Sequence, residues 1–207
     1  TGVQTCALPI FERSRERLGI DVVDVYWAHG EDRTVDLAET VGAFGQLVAD
    51  GGVASLVVHA RTKDDGYRPP AHWEWIARIA EAVAVPVVAN GEVWTVEDWQ
   101  RCRAVSGCDD VMIGRGAVAD PFLARRIKGA VDAQPSGDDW RALVPHIIDY
   151  WEKMQQRTWA PNAPGRLKLL LSYFRRTWPE AIALYAAVRP LREPAEVTRV
   201  LAEELAR

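Results

Sequence analysis

The sequence predicts an α/β fold: a partial (β/α)8 TIM barrel, made of its last three βα units plus one foreign αβα piece, followed by a small all-α helical bundle. Three observations carry that reading. The runs SLVVHARTK, VPVVANGEVW and DDVMIGRGAVADP are short, apolar and each end in polar residues or glycine, as buried strands do. The stretches between them, HWEWIARIAEAV and TVEDWQRCRAVSG, are helical in character, and βα units recurring every ~30 residues imply a parallel sheet. Beyond AVDAQPSGDDW the composition changes, and no strand candidate remains.

The 207 residues, 48% of them hydrophobic, suffice for one substantial core and a small second one. A net charge of −4 gives no global pull toward nucleic acid, so any RNA contact must be local. No apolar run approaches the ~18 residues that span a membrane. Of the three cysteines, Cys102 and Cys108 lack metal-ligand spacing and Cys6 stands alone. Neither a disulfide framework nor a metal site is expected, and a reducing cytoplasm is.

Taken in order, residues 1–10, TGVQTCALPI, show no helical or strand periodicity and no secretory signal pattern. With one choice of codons they back-translate to ACT GGA GTT CAG ACG TGT GCT CTT CCG ATC, which resembles a sequencing-library adapter. Residues 11–51 read as helix end, strand and helix: ERSRERLGI with a glycine stop, DVVDVYWAH, and VDLAETVGAFGQLVADGG with a glycine cap. The stretch RLGIDVVDVYWAHGEDRTVDLAETVGAFGQLVADG resembles the aldo-keto reductases, in which the strand-end histidine, here His29, helps polarise a carbonyl. The Asp, Tyr and Lys motifs of that family are absent from the chain, so carbonyl reduction is not expected of it.

Residues 52–130 hold the three barrel units. In such barrels the chemistry sits at the C-terminal strand ends, and the loops after the last two strands often hold a phosphate. Gly91 after Asn90 lets the backbone approach a ligand. Gly114 and Gly116 flank Arg115 at the start of the following helix, where backbone N–H groups and a guanidinium together suit an anion.

Residues 131–207 read as a helical domain: DDWRALVPHIIDYWEKMQQRT, PGRLKLLLSYFRRTW, PEAIALYAAVR and EPAEVTRVLAEELAR. Its last part, 163–207, carries eight Lys and Arg against five Asp and Glu, a balance of +3 opposite in sign to the whole chain. Arg166 and Tyr173 are seven apart on one helix and share a face, with Lys168 beside it. Such a mixture of cations and an aromatic ring suits phosphates and bases.

The strings LVVHARTK followed by GYR, PVVANGE, SGCDDVMIGRGA and RLKLLLSYFRR resemble the tRNA-dihydrouridine synthases, in particular the subgroup acting on the D-loop uridine at position 16. The resemblance runs from about Gly52 to the C-terminus. It implies an FMN cofactor surrounded by His59, Arg61, Asn90, Gly91, Glu92, Gly114 and Arg115, with NADPH as reductant. It also implies tRNA contacts at Tyr67, Arg166, Lys168, Tyr173 and Arg189, and a monomer. The family's N-terminal half supplies a P-M-x-G turn, a glutamine, an N-x-G-C-P cysteine acid and a V-K-x-R lysine, none of which occurs here. No catalytic residue is therefore assigned. The chain reads as a chimera of adapter, reductase fragment and the C-terminal half of a synthase, truncated and inactive. The alternatives are a stand-alone tRNA-binding helical module and an aldo-keto reductase fragment.

Overall fold

A computed structural model of the chain describes residues 7–23, 42, 45, 48–49, 52–62, 64–66 and 68–206. Most of the reductase-like strand, with His29, lies outside the described residues, as do residues 1–6 and Tyr67. Helix α1 (Ala7–Leu18) stops where the sequence places a glycine stop. Gly19 takes φ 64°, and the Ile20 N–H donates to the Arg15 carbonyl at 3.2 Å, closing the last turn. Residues 42, 45, 48 and 49 are helical.

Contacts divide the chain into two compact units, Thr1–Gly91 with Arg101–Met112 and Glu92–Gln100 with Ile113–Arg207. The first contains a three-stranded parallel sheet of β1 (Leu56–His59), β2 (Val87–Asn90) and β3 (Asp110–Met112), in that spatial order. Helix α2 (Trp73–Ala82) connects β1 to β2, and α3 (Val96–Ser106) lies between β2 and β3 in sequence. Parallel neighbours cannot be joined by a tight turn, so each crossover takes a helix. Trp73 and Ile76, three apart on α2, are buried, and the Trp73 indole N–H donates to the Gly91 carbonyl at 2.9 Å.

The expectation of three buried strands holds only for β2. Val87 and Ala89 are buried there, whereas Val57 on β1 and Met112 on β3 are exposed. The reason is position. Among the described residues β2 alone has a strand on each side, and the outer two have one neighbour each.

The second unit contains α4 (Arg115–Ala119), α5 (Leu123–Ile127), α6 (Gly137–Arg157), α7 (Ala163–Phe174), α8 (Pro179–Val188) and α9 (Pro194–Leu205). Ser136 and Asp139 cap α6 reciprocally: the Ser136 hydroxyl accepts the Asp139 N–H at 3.3 Å, and the Asp139 carboxylate accepts the Ser136 N–H at 3.2 Å. Proline occupies the first turn of α7, α8 and α9, where its missing N–H costs nothing. Trp140, Ile147 and Trp151 of α6, Leu167 and Leu171 of α7, Leu184 of α8 and Leu201 of α9 share one apolar core.

Two polar ties reach from residues 113–130 into those helices. The Trp178 indole N–H donates to the Ala119 carbonyl at 3.0 Å. Buried Arg126 donates to Asp120 at 2.7 Å, to Asp139 at 2.8 Å, and to the carbonyls of Asp132 and Gln134 at 2.7 and 3.1 Å.

Candidate functional site

In the first unit the register places His59 opposite Asn90 and Asn90 opposite Met112, so the C-terminal strand ends align along one side of the sheet. The Ala60 N–H donates to the Asn90 carbonyl at 2.8 Å, extending the ladder past the strand ends. Asn90 Nδ2 points to Met112 Sδ at 3.5 Å, and His59 is exposed. Gly91 has φ 127°, and a Cβ there would sit 3.3 Å from Ala60 Cβ and 3.7 Å from His59 Cε1. Only glycine takes that turn without strain. Arg61 is buried and its Nε donates to the Pro70 carbonyl at 3.3 Å. Asp65 accepts the Thr62 backbone N–H at 2.7 Å and its hydroxyl at 2.8 Å, and these hydrogen bonds hold its carboxyl below the ordinary value.

In the second unit Glu92 adopts φ 57°, the left-handed region that non-glycine residues rarely occupy. Its carboxylate accepts the Trp94 indole N–H at 3.0 Å and lies 3.9 Å from the Arg115 guanidinium. That guanidinium sits 5.2 Å from the Trp94 ring centroid. Asp98 closes the turn by accepting the N–H groups of Trp94 and Thr95 at 3.1 and 3.2 Å. Gly114 is the N-cap of α4, and a Cβ built on it meets nothing within 4 Å. Arg115, next in sequence, is half-exposed. Gly116 has a packing role instead. A Cβ there would fall on the Val93 carbonyl oxygen, 3.1 Å from its carbon.

Four of the residues expected to meet tRNA, Arg166, Lys168, Tyr173 and Arg189, are described, and all lie in the second unit. Arg166 is exposed and Tyr173 half-buried, both on α7, and Arg189 is the exposed C-cap of α8. Lys168 is half-buried, and its Nζ donates to the Leu191 carbonyl at 2.6 Å. Arg176, not singled out in the sequence, has its guanidinium 3.9 Å from the Trp94 ring centroid. Arg166, Leu169, Tyr173 and Arg176 are three and four residues apart in sequence.

Cys102 and Cys108 are free thiols, buried at 0% and 5% exposure. Among the described residues no group of His, Cys, Asp and Glu could hold a metal ion, and no helix is long and apolar enough to cross a membrane.

The model of the dihydrouridine synthase (Dus) family matches residues 25–169. The match starts inside the 11–51 stretch, whose reductase resemblance it does not support. A protein of Ralstonia nicotianae named tRNA-dihydrouridine(16) synthase is 61% identical over 165 residues, 80% of this chain and 51% of its own length. Proteins of the same name from Cupriavidus necator and Aquipseudomonas alcaligenes are 61% and 51% identical over 74% and 76% of this chain, and 48% and 50% of their own lengths. The chain thus spans about half the length of the curated relatives it matches.

Proposed function

Because the chain belongs to the dihydrouridine synthase family, we propose that it carries part of an FMN-dependent enzyme that reduces a tRNA D-loop uridine, at position 16, to 5,6-dihydrouridine. The observation that carries the reading is the corner built by Glu92, Trp94, Gly114 and Arg115, where a strained backbone orients a carboxylate against a guanidinium beside open space. Arg115 and the Gly114 backbone hold the phosphate of FMN. Glu92 and the indole of Trp94 fix the Arg115 guanidinium. His59, Arg61, Asn90 and Gly91 are flavin-binding residues by the same family reading. FMN, reduced by NADPH, supplies the hydride that the uracil receives.

Residues 131–207 hold the RNA. Arg166, Lys168 and Arg189 meet phosphates, while Tyr173, and Tyr67 from the GYR loop, offer rings to unstacked bases. The target uracil has to leave its stack before it can be reduced. Protonating it requires an acid, and the reading assigns that role to no residue of this chain; Cys102 and Cys108 are buried.

A second reading, a stand-alone tRNA-binding helical module, is favoured by the single apolar core that α6 to α9 share. Gel shift with tRNA, combined with flavin absorbance of the purified chain, separates the two. Retained flavin with a shifted tRNA supports the synthase reading, a shift without flavin supports the module, and neither removes both. The adapter-like and reductase-like characters of residues 1–10 and 11–51, and a join near Gly51, belong to the same proposal. Genomic DNA upstream of the GGVASLVVHARTK codons decides them.

A further inference from the structure

We propose that Arg176 is an RNA-phosphate contact, held ready by stacking on Trp94 and extending the tRNA-binding row of α7. This rests on the reading of α7 as an RNA-facing helix and adds a residue pair to it. Arg176 is exposed, and its guanidinium lies 3.9 Å from the Trp94 ring centroid. Among the described residues no carboxylate or carbonyl accepts a hydrogen bond from that guanidinium. Arg115 differs, since the Glu92 carboxylate 3.9 Å away offsets part of its charge. Among the described residues Arg176 therefore has no ion-pair partner and is available to an anion.

Stacking decides how that cation is presented. With its Cζ 3.9 Å over the Trp94 ring centroid, the planar guanidinium has one side against the ring and its N–H groups free to reach past the ring edge. There they can fork onto two phosphate oxygens. Trp94 is itself fixed, by its indole hydrogen bond to Glu92 at 3.0 Å and by the Asp98 carboxylate on its backbone N–H at 3.1 Å. The Arg176 N–H donates to the Tyr173 carbonyl at 3.0 Å, which ties its backbone to the helix end. Less side-chain freedom is then lost on binding.

The partner is read from the neighbours. Arg166, Leu169 and Tyr173 share a face of α7 at helical spacing, so cation, apolar surface and ring succeed each other there, and Arg176 follows in the turn two residues past the helix end. Leu169 is 53% exposed, an apolar surface that a ribose or base edge can cover. The +3 balance of residues 163–207, eight Lys and Arg against five Asp and Glu, favours a polyanion.

The test is tRNA binding by the full chain across a salt series, with thermal melts to confirm folding. Arg176→Ala is expected to weaken affinity roughly five- to tenfold and to lower the salt slope by about one. Arg176→Lys keeps the charge but loses the fork, so the slope should persist while affinity falls about threefold. Trp94→Phe, which keeps a stacking ring, should bind more tightly than Trp94→Ala. If Arg176→Ala matches the parent in affinity and slope while a triple alanine variant at Arg166, Lys168 and Arg189 is weakened, the inference is overturned and the RNA reading stands. If the triple variant also binds normally, the RNA reading itself fails. Should Arg176→Ala melt early, Arg176→Lys carries the test, and parental affinity in that variant overturns the forked contact.

Discussion

The guanidinium of Arg126 meets the carboxylate of Asp139 at 2.8 Å, joining the residues that follow the last strand to the first turn of the long helix α6. The same guanidinium pairs with Asp120 at 2.7 Å, and both Arg126 and Asp120 side chains are almost wholly buried. A buried cation with two carboxylates and two carbonyls is satisfied only as a set.

Arg126→Ala is accordingly expected to cost about 3–5 kcal/mol, because it leaves the buried Asp120 carboxylate without its cation. Urea denaturation followed by far-UV circular dichroism reads it. A loss below about 1 kcal/mol would mean that water reaches Asp120 and replaces the guanidinium.

Acid should act partly through the same set. Burial pushes the Asp139 carboxyl upward, but hydrogen bonds from Arg126 and from the Ser136 N–H outweigh it and hold the group below the ordinary carboxylate value. A folded-state value below the unfolded one means that the unfolded chain takes up protons first as pH falls. The stabilisation is full above the unfolded carboxylate range and is lost as pH falls through the folded value. Asp139→Asn should be less stable at neutral pH and lose less stability on acidification. Denaturation midpoints across an acid series measure this, and parallel profiles for parent and variant would contradict it.

Gly116→Ala should destabilise by about 1–3 kcal/mol, since the added methyl falls on the Val93 carbonyl and must push the 92–95 turn aside. Gly114→Ala, with nothing near its Cβ, is the matched control and should melt close to the parent unless ligand is present. Equal melting temperatures for both variants would count against the packing role of Gly116.

Replacing Arg166, Lys168 and Arg189 together with alanine should weaken tRNA binding and flatten its dependence on salt. Lys168 is expected to contribute least of the three, because its ammonium already donates to the Leu191 carbonyl at 2.6 Å. Single variants in a gel-shift titration rank them.

This chain, supplied with FMN, NADPH and unmodified tRNA, should form no dihydrouridine. The proposed reading assigns no residue of this chain as general acid, and want of one alone costs about 10²- to 10⁴-fold. Mass spectrometry of the tRNA for the gain of two hydrogens reads the outcome. A gain that survives Cys102→Ala and Cys108→Ala would reveal an acid elsewhere in the chain.

Periodicity and end signals were enough to locate α2, α3 and the four helices α6 to α9, because helix caps, proline starts and apolar spacing act within a few residues. The strand ends at His59 and Asn90 were legible for the same reason: a polar residue or glycine after a short β-branched run marks where pairing stops. Burial of the strands was not, since it depends on which neighbours flank each one, and only the order β1-β2-β3 makes β2 central. Nor could the string NGEVW announce that Trp94 would lie beneath Arg176, 82 positions later in the chain. The composition change near residue 131 is real in sequence, yet Trp178 to Ala119 and Arg126 to Asp139 run across it. Local chemistry sets where an element begins and ends. Which guanidinium stacks on which ring, and which carboxylate shares a buried cation, is decided when distant segments desolvate the same charge and must satisfy it together.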